Sequence, residues 1–247
     1  MEIGWLQKVI AIAVKDMRVY YMKGPTLIFG LLFPFFFFLS FIIGREMSPV
    51  VLLPGLTAMV VFFSATAIGP VIFPTETRAY TLERLVSMPI PLWAILLGDV
   101  LASTVFALIS SIIPIILALL FISMTPNGLI LTFIGVLIGS ICFSYMGQLL
   151  SSPPVDQTST IMMISTLIKF PLVFISGIFV VISAMPEPIR FIALLSPLTY
   201  LADLFQASFG GVSMLGPVLD VLAISIWTVG FVTLSLMAHR RTLEQRL

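Results

Sequence analysis

Residues 75–89 read TETRAYTLERLVSMP and stand between two blocks of almost unbroken apolar sequence. The stretch carries four charged side chains, Glu76, Arg78, Glu83 and Arg84, and proline brackets it at Pro74 and Pro89. Leu82, Leu85 and Val86 can share one face of a short helix while Glu83 and Arg84 point away. A loop that only had to stay wet would need a few polar residues, not this length and a leucine-bearing face. The stretch therefore reads as a helix lying across a membrane surface and offered to another protein.

The blocks on either side set the class. The chain is 60% hydrophobic and 9% charged, with 21 phenylalanines, whereas soluble domains run at about 45–50% apolar and about 25% charged. So few charges cannot cover a core this apolar, so the chain reads as an all-α integral membrane protein. No stretch alternates apolar and polar residues over the roughly ten positions that an outer-membrane barrel strand needs. The net charge of +1 gives no reason to expect nucleic acid, and the single Cys142 excludes an intrachain disulfide.

Six spans are expected, at about residues 27–43, 50–73, 93–121, 129–150, 160–184 and 217–238. Most exceed the roughly 20 residues that cross a ~30 Å hydrocarbon layer, and the first is at the lower limit. With the N-terminus inside, four Lys and Arg fall in residues 1–26, two between spans two and three, none between four and five, and three in the tail. The opposite side has only Arg45 and Arg190. That bias expects a multi-pass protein of the plasma (cytoplasmic) membrane with both termini and residues 75–89 in the cytoplasm.

Residues 1–26 are expected to form an amphipathic interfacial helix. Leu6, Val9, Ile10, Ala13, Met17 and Tyr20 share one helical face, and Gln7, Lys8, Lys15 and Arg18 gather opposite. The charges continue to Lys23 with no small-residue cleavage pattern before the next span, unlike a signal peptide. Between spans five and six, residues 185–212 are too apolar for an ordinary loop, and Ser196-Pro197 breaks them into pieces too short to cross. They read as short re-entrant outer helices, with an amphipathic cap on the surface as the alternative. The whole chain, 1–247, reads as one transmembrane domain.

Hydrolytic chemistry is missing. No lysine follows the spaced glycines of a phosphate-binding loop, so energy for any active transport enters elsewhere. The only histidine, His239, lies in the tail, which removes an HExxH zinc site and an intramembrane Ser-His pair for Ser176. Gly98-Asp99 is similar to part of an aspartyl protease motif, but Leu96 stands where its first glycine belongs, and Asp156 and Asp220 lie near span ends. We read no catalytic, metal or cofactor-binding residue in the chain.

Gly135, Gly139 and Gly147 line one face of span four, which suits close packing within the bundle or against a second copy. Lys169 lies roughly 15 Å into span five, where a central charge costs on the order of 3 kcal/mol. It needs a partner or water. Asp99 enters span three from the same side, so an Asp99–Lys169 ion pair is one reading. The other is that Lys169 faces a cavity open to the cytoplasm and attracts an anionic head group.

ETRAYTLERLVSMPIPLWAILLGD, residues 76–99, resembles the signature of ABC-2 type transporter permeases, the membrane subunits of ABC exporters. Glu76, Arg78, Thr81, Leu82, Glu83, Leu85 and Pro89 match that pattern. Residues 170–205 are similar to the family's span-five end and outer helices through Pro171, Ser176, Gly177, Pro186, Ser196, Pro197 and Asp203. The chain departs at Val180 and Val181, where the family often has proline.

The resemblance implies a half-transporter without enzymatic activity of its own. Two six-span copies, a homodimer, would sit with two copies of a cytoplasmic ABC ATPase that binds the ATP and Mg. Glu76, Arg78, Thr81, Leu82, Glu83, Arg84 and Leu85 would form the cytoplasmic coupling helix. Ser176, Gly177, Pro186, Ser196 and Pro197 would belong to an outer gate. The expected activity is ATP-driven export of a hydrophobic, amphipathic or lipid-linked substrate. A secondary transporter or channel with Lys169 in its pathway is the alternative from the residues alone.

Overall fold

The computed structural model describes residues 4–43, 48–155, 157–180, 182 and 185–243. Arg45, Asp156, Val181 and Arg246, which entered the sequence reading, lie outside these. Among the described residues there is no strand.

The helices are α1 (Trp5–Asp16), α2 (Gly24–Leu27), α3 (Phe33–Ile42), α4 (Pro49–Ala65), α5 (Gly69–Arg78), α6 (Thr81–Ser87), α7 (Leu92–Phe121), α8 (Pro126–Leu150), α9 (Thr158–Ile175), α10 (Glu187–Ala193), α11 (Pro197–Ser208) and α12 (Pro217–Thr242). Proline opens several of them. Pro49, Pro126, Pro197 and Pro217 stand in first turns, where the missing N–H costs nothing and φ is already set. Thr125 completes the start of α8 by accepting from the Gly128 amide at 3.1 Å.

Among the described residues five helical stretches are long and apolar enough to cross a membrane: Pro49–Arg78, Leu92–Phe121, Pro126–Leu150, Thr158–Ile175 and Pro217–Thr242. The protein is an all-α integral membrane protein. Span two is the joined pair α4 and α5, kinked at residues 66–68. The expected first span is helical from Gly24 to Ile42, but π-helical over Ile28–Leu32, and its apolar part is the short Gly30–Ser40. Span five is shorter than expected. It stops at Ile175 because Gly177 turns the chain with φ +83°, and a Cβ there would lie 2.7 Å from Ile182 Cγ1.

α4 packs against α7 and α8, and α7 against α1 and α8. Over its apolar window Pro49–Arg78 is 83% buried, against 22% for Thr158–Ile175 and 17% for Pro217–Thr242. The centre is completed by α11. α10 and α11 bend by 98° between them, and α11 then runs into the bundle between α4, α8 and α12. Leu198, Leu201, Leu204 and Phe205 are fully buried. α11 is thus inserted into the bundle and does not rest on its surface as a cap.

Gly135 and Gly139 of α8 face this inserted helix, and Gly147 faces Thr66 and Pro70. A Cβ at Gly135 would lie 2.8 Å from Phe205 Cε1, and one at Gly139 2.9 Å from the Leu201 methyls. Their small size serves packing inside the bundle, as the first of the two sequence readings had it.

Candidate functional site

The charged stretch 75–89 is two helices, not one. α5 carries span two outward to Arg78, and the Ala79 and Tyr80 amides close it on the carbonyls of Thr75 and Thr77. α6 then starts at Thr81. Tyr80 makes the corner with φ 54° and ψ 24°, the left-handed region, and is the one non-glycine residue with positive φ among the described residues. For a residue with a Cβ this conformation costs about 1–2 kcal/mol.

The leucine-bearing face turns inward. Leu82 and Leu85 are buried with Ile12, Phe73, Ile95 and Leu96, so this face holds α6 to its own bundle and is not the surface offered to a partner. What faces outward is Arg78, Ala79, Tyr80, Glu83, Arg84, Ser87, Met88 and Pro89.

Glu76 also turns inward. Its carboxylate accepts a salt bridge from the Lys15 ammonium, a hydrogen bond from Tyr20 Oη at 3.2 Å and a longer one from Thr81 Oγ1 at 3.4 Å. Thr81 Oγ1 also donates to the Glu76 carbonyl at 3.2 Å. These contacts tie the charged stretch to α1 and the turn that follows it. The Lys15 ammonium also sits 3.0 Å from Asp16 Oδ1. Burial pulls the Lys15 amine down, but Asp16 and Glu76 outweigh it and hold the amine above its usual value. Burial first, then the charges of Glu76 and Asp16, push the Tyr20 hydroxyl up, so it stays a donor to Glu76.

The buried face of α1 differs from the expected stripe. Val9, Ile12, Ala13 and Asp16 are buried, while Leu6, Ile10 and Val14 are exposed beside Trp5. α1 lies close on α7, and a Cβ at Gly98 would lie 2.6 Å from Ile12 Cγ2. Asp16, a charge on the packed side of an otherwise apolar stripe, was the sequence signal for this cluster. Lys15 and Tyr20 were read only as members of the two faces of this helix, and Tyr80 was passed over, because each takes its role from a neighbour distant in sequence or from one backbone dihedral.

Asp99 and Lys169 do not pair. Asp99 faces α1 and α8, where Oδ2 accepts from Gln148 Nε2 at 3.4 Å; Gln148 also donates to the Leu96 carbonyl at 3.0 Å and accepts from Ser235. Lys169 lies on α9, which packs on α5, and its ammonium donates to the Thr66 carbonyl at 2.6 Å. Proline explains that bond. In a continuous helix the Thr66 carbonyl would accept from residue 70, and Pro70 has no N–H to give. The kink between α4 and α5 leaves a buried acceptor, and Lys169 fills it.

Lys169 also lines a cavity of about 310 Å³ with Phe33, Phe63, Met162, Thr166 and Phe170. The cavity is apolar apart from the ammonium and one hydroxyl. It lies between the first, second and fifth spans.

At the opposite end of the bundle, the proposed gate residues shape two corners. Ser176 Oγ donates to the Val173 carbonyl at 2.9 Å as α9 ends, and Gly177 supplies the turn. Pro186 precedes α10. Ser196 caps α11 by accepting from the Leu198 amide at 3.3 Å, and Pro197 opens that helix. Thr199 Oγ1 and Tyr200 Oη donate back to the Ala193 and Leu194 carbonyls at 2.6 and 2.7 Å, which fixes the bend. Asp203 accepts from Ser213 Oγ and from the Met214 and Leu215 amides, which holds the chain between α11 and α12.

Among the described residues no group of three or more His, Cys, Asp or Glu could hold a metal ion. No curated protein matches the chain. Residues 7–209, most of the chain, match the family described as ABC-2 type transporter. With its membrane-crossing helices and its exposed charged corner between spans two and three, the chain belongs to the ABC-2 type transporter family and is a membrane subunit of an ABC transporter.

Proposed function

We propose that the protein is the permease half of an ATP-driven exporter, a homodimer that works with two copies of a separate cytoplasmic ATPase. One observation carries the reading. The corner at residues 78–84 is fastened to the bundle by Glu76, Leu82 and Leu85, yet presents Arg78, Tyr80, Glu83 and Arg84 outward. A lever fastened at its root and bare at its tip suits an element that receives motion from a partner. Closure of the ATP-bound pair would push the corner, and α5 would pass the displacement into span two. The gate residues Ser176, Gly177, Pro186, Ser196 and Pro197 stand at the far corners.

The substrate in this reading is hydrophobic, amphipathic or lipid-linked. The aromatic and thioether walls of the 310 Å³ cavity suit an apolar moiety, and Lys169 suits an anionic group beside it. ATP and Mg belong to the partner, and the chain contributes no catalytic residue. The membrane concerned is the cytoplasmic one, with both termini inside.

Charge reversal at the exposed tip tests the coupling. Arg84→Glu should cut association with the ABC ATPase or substrate-stimulated hydrolysis at least tenfold while leaving membrane insertion intact. Unchanged association and hydrolysis would count against the reading. The alternative, a gradient-driven carrier or channel with Lys169 in its path, predicts transport by the chain alone.

A further inference from the structure

Tyr80 carries a backbone conformation that glycine would adopt without strain, and its side chain does nothing visible within the chain to offset it. The residue is 69% exposed. Its hydroxyl makes no hydrogen bond and its ring no aromatic contact among the described residues, although its amide is held by Thr77. Leu82 and Leu85 are committed inward. The ring thus stands without a partner among the described residues, on a corner whose exposed side chains include Arg78 and Arg84.

We infer that Tyr80 is the anchor residue of the coupling corner, its ring filling an apolar pocket on the ATPase whose rim presents carboxylates to Arg78 and Arg84. The inference rests on the reading that residues 75–89 dock an ATPase. Tyrosine suits the part because it brings a large contact area with only two side-chain torsions to freeze, and such residues dominate binding at interface centres. The left-handed backbone aims the ring outward from a corner rooted by Glu76 and Thr81. Two cations and one anion in the exposed set, Arg78, Arg84 and Glu83, favour an acidic rim.

The rival occupant is the lipid head-group layer, where tyrosine is also enriched. Trp5 and Trp93 already provide interfacial aromatics at this end, in contact at 5.9 Å between ring centroids. Tyr80 differs from them in sitting on a charged turn with its neighbouring apolar side chains turned away.

The test compares wild type, Tyr80→Gly and Tyr80→Phe, each assembled with the purified ABC ATPase of its complex in detergent and in vesicles. Tyr80→Gly relieves the backbone, so the isolated permease should melt about 2–4 °C higher, while ATPase affinity falls at least tenfold. Tyr80→Phe should stay within twofold of wild type. Arg78→Ala with Arg84→Ala should weaken binding and flatten its salt dependence. Loss of binding with a gain in stability cannot come from a merely structural residue. Retention of the ATPase by Tyr80→Gly within twofold would overturn the inference, as would a defect seen only in vesicles, which would assign the ring to lipid. Failure of wild type itself to bind the ATPase would remove the docking reading and the inference together.

Discussion

At the scale of single residues, two lysines in hydrophobic surroundings do different work. Lys15 neutralises Glu76 and stands beside Asp16. Removing one partner of a fully buried pair costs about 3–5 kcal/mol, and Lys15 is one-third exposed, so Lys15→Met should cost about 2 kcal/mol. Its amine is raised in the folded protein. The stabilisation is therefore complete below the ordinary lysine value of 10.5 and is lost as pH rises through the higher folded value. Thermal unfolding of wild type should fall in that alkaline window by an amount that Lys15→Met no longer shows. Lys169 caps one carbonyl in place of the N–H that Pro70 lacks, so Lys169→Met should cost about 1–3 kcal/mol for the orphaned acceptor. If the ammonium also meets an anionic substrate, that variant loses transport while Lys169→Arg retains part of it. Full transport by Lys169→Met in a reconstituted vesicle assay would leave Lys169 as a structural cap alone.

Among the elements, the long spans were legible and their ends were not. Runs such as 93–121 declare themselves by length and apolarity, and α7 occupies Leu92–Phe121. Span five was read too long because apolarity continues past Ile175, whereas the turn is set by a single glycine dihedral. The corner 75–89 was found by its charges, but the leucine-bearing face that suggested docking packs Leu82 and Leu85 against the chain's own bundle. Helical periodicity shows that two leucines share a face without showing which neighbour that face meets. The expected Asp99–Lys169 pair failed for a similar reason: depth along a span is readable from sequence, whereas rotation about its axis is fixed by packing. The α8 glycines give the sharpest test of that packing. Gly139→Leu would drive a side chain into Leu201, costing about 1–3 kcal/mol by overpacking. It should loosen α11 in hydrogen exchange and leave the Tyr80 corner unchanged; protection of α11 equal to wild type would contradict the packing.

For the whole molecule, class and family were readable because they rest on composition and on a motif contiguous in sequence. The interior was not, because residues 185–212 read as short outer helices without any sign that the second of them packs at the centre of the bundle. Leu198, Leu201, Leu204 and Phe205 of α11 fill the space between α4, α8 and α12, and that placement has a consequence for biogenesis. The chain emerges from its N-terminus, so the first four spans enter the bilayer before their central filler has been synthesised. The glycine-lined groove of α8 must then wait, open to lipid, until residues 197–208 arrive and displace it. Insertion and compaction are thereby separate events in time, and a ribosome stalled before residue 197 would hold a chain with its earlier spans threaded, its last span unmade and its centre hollow.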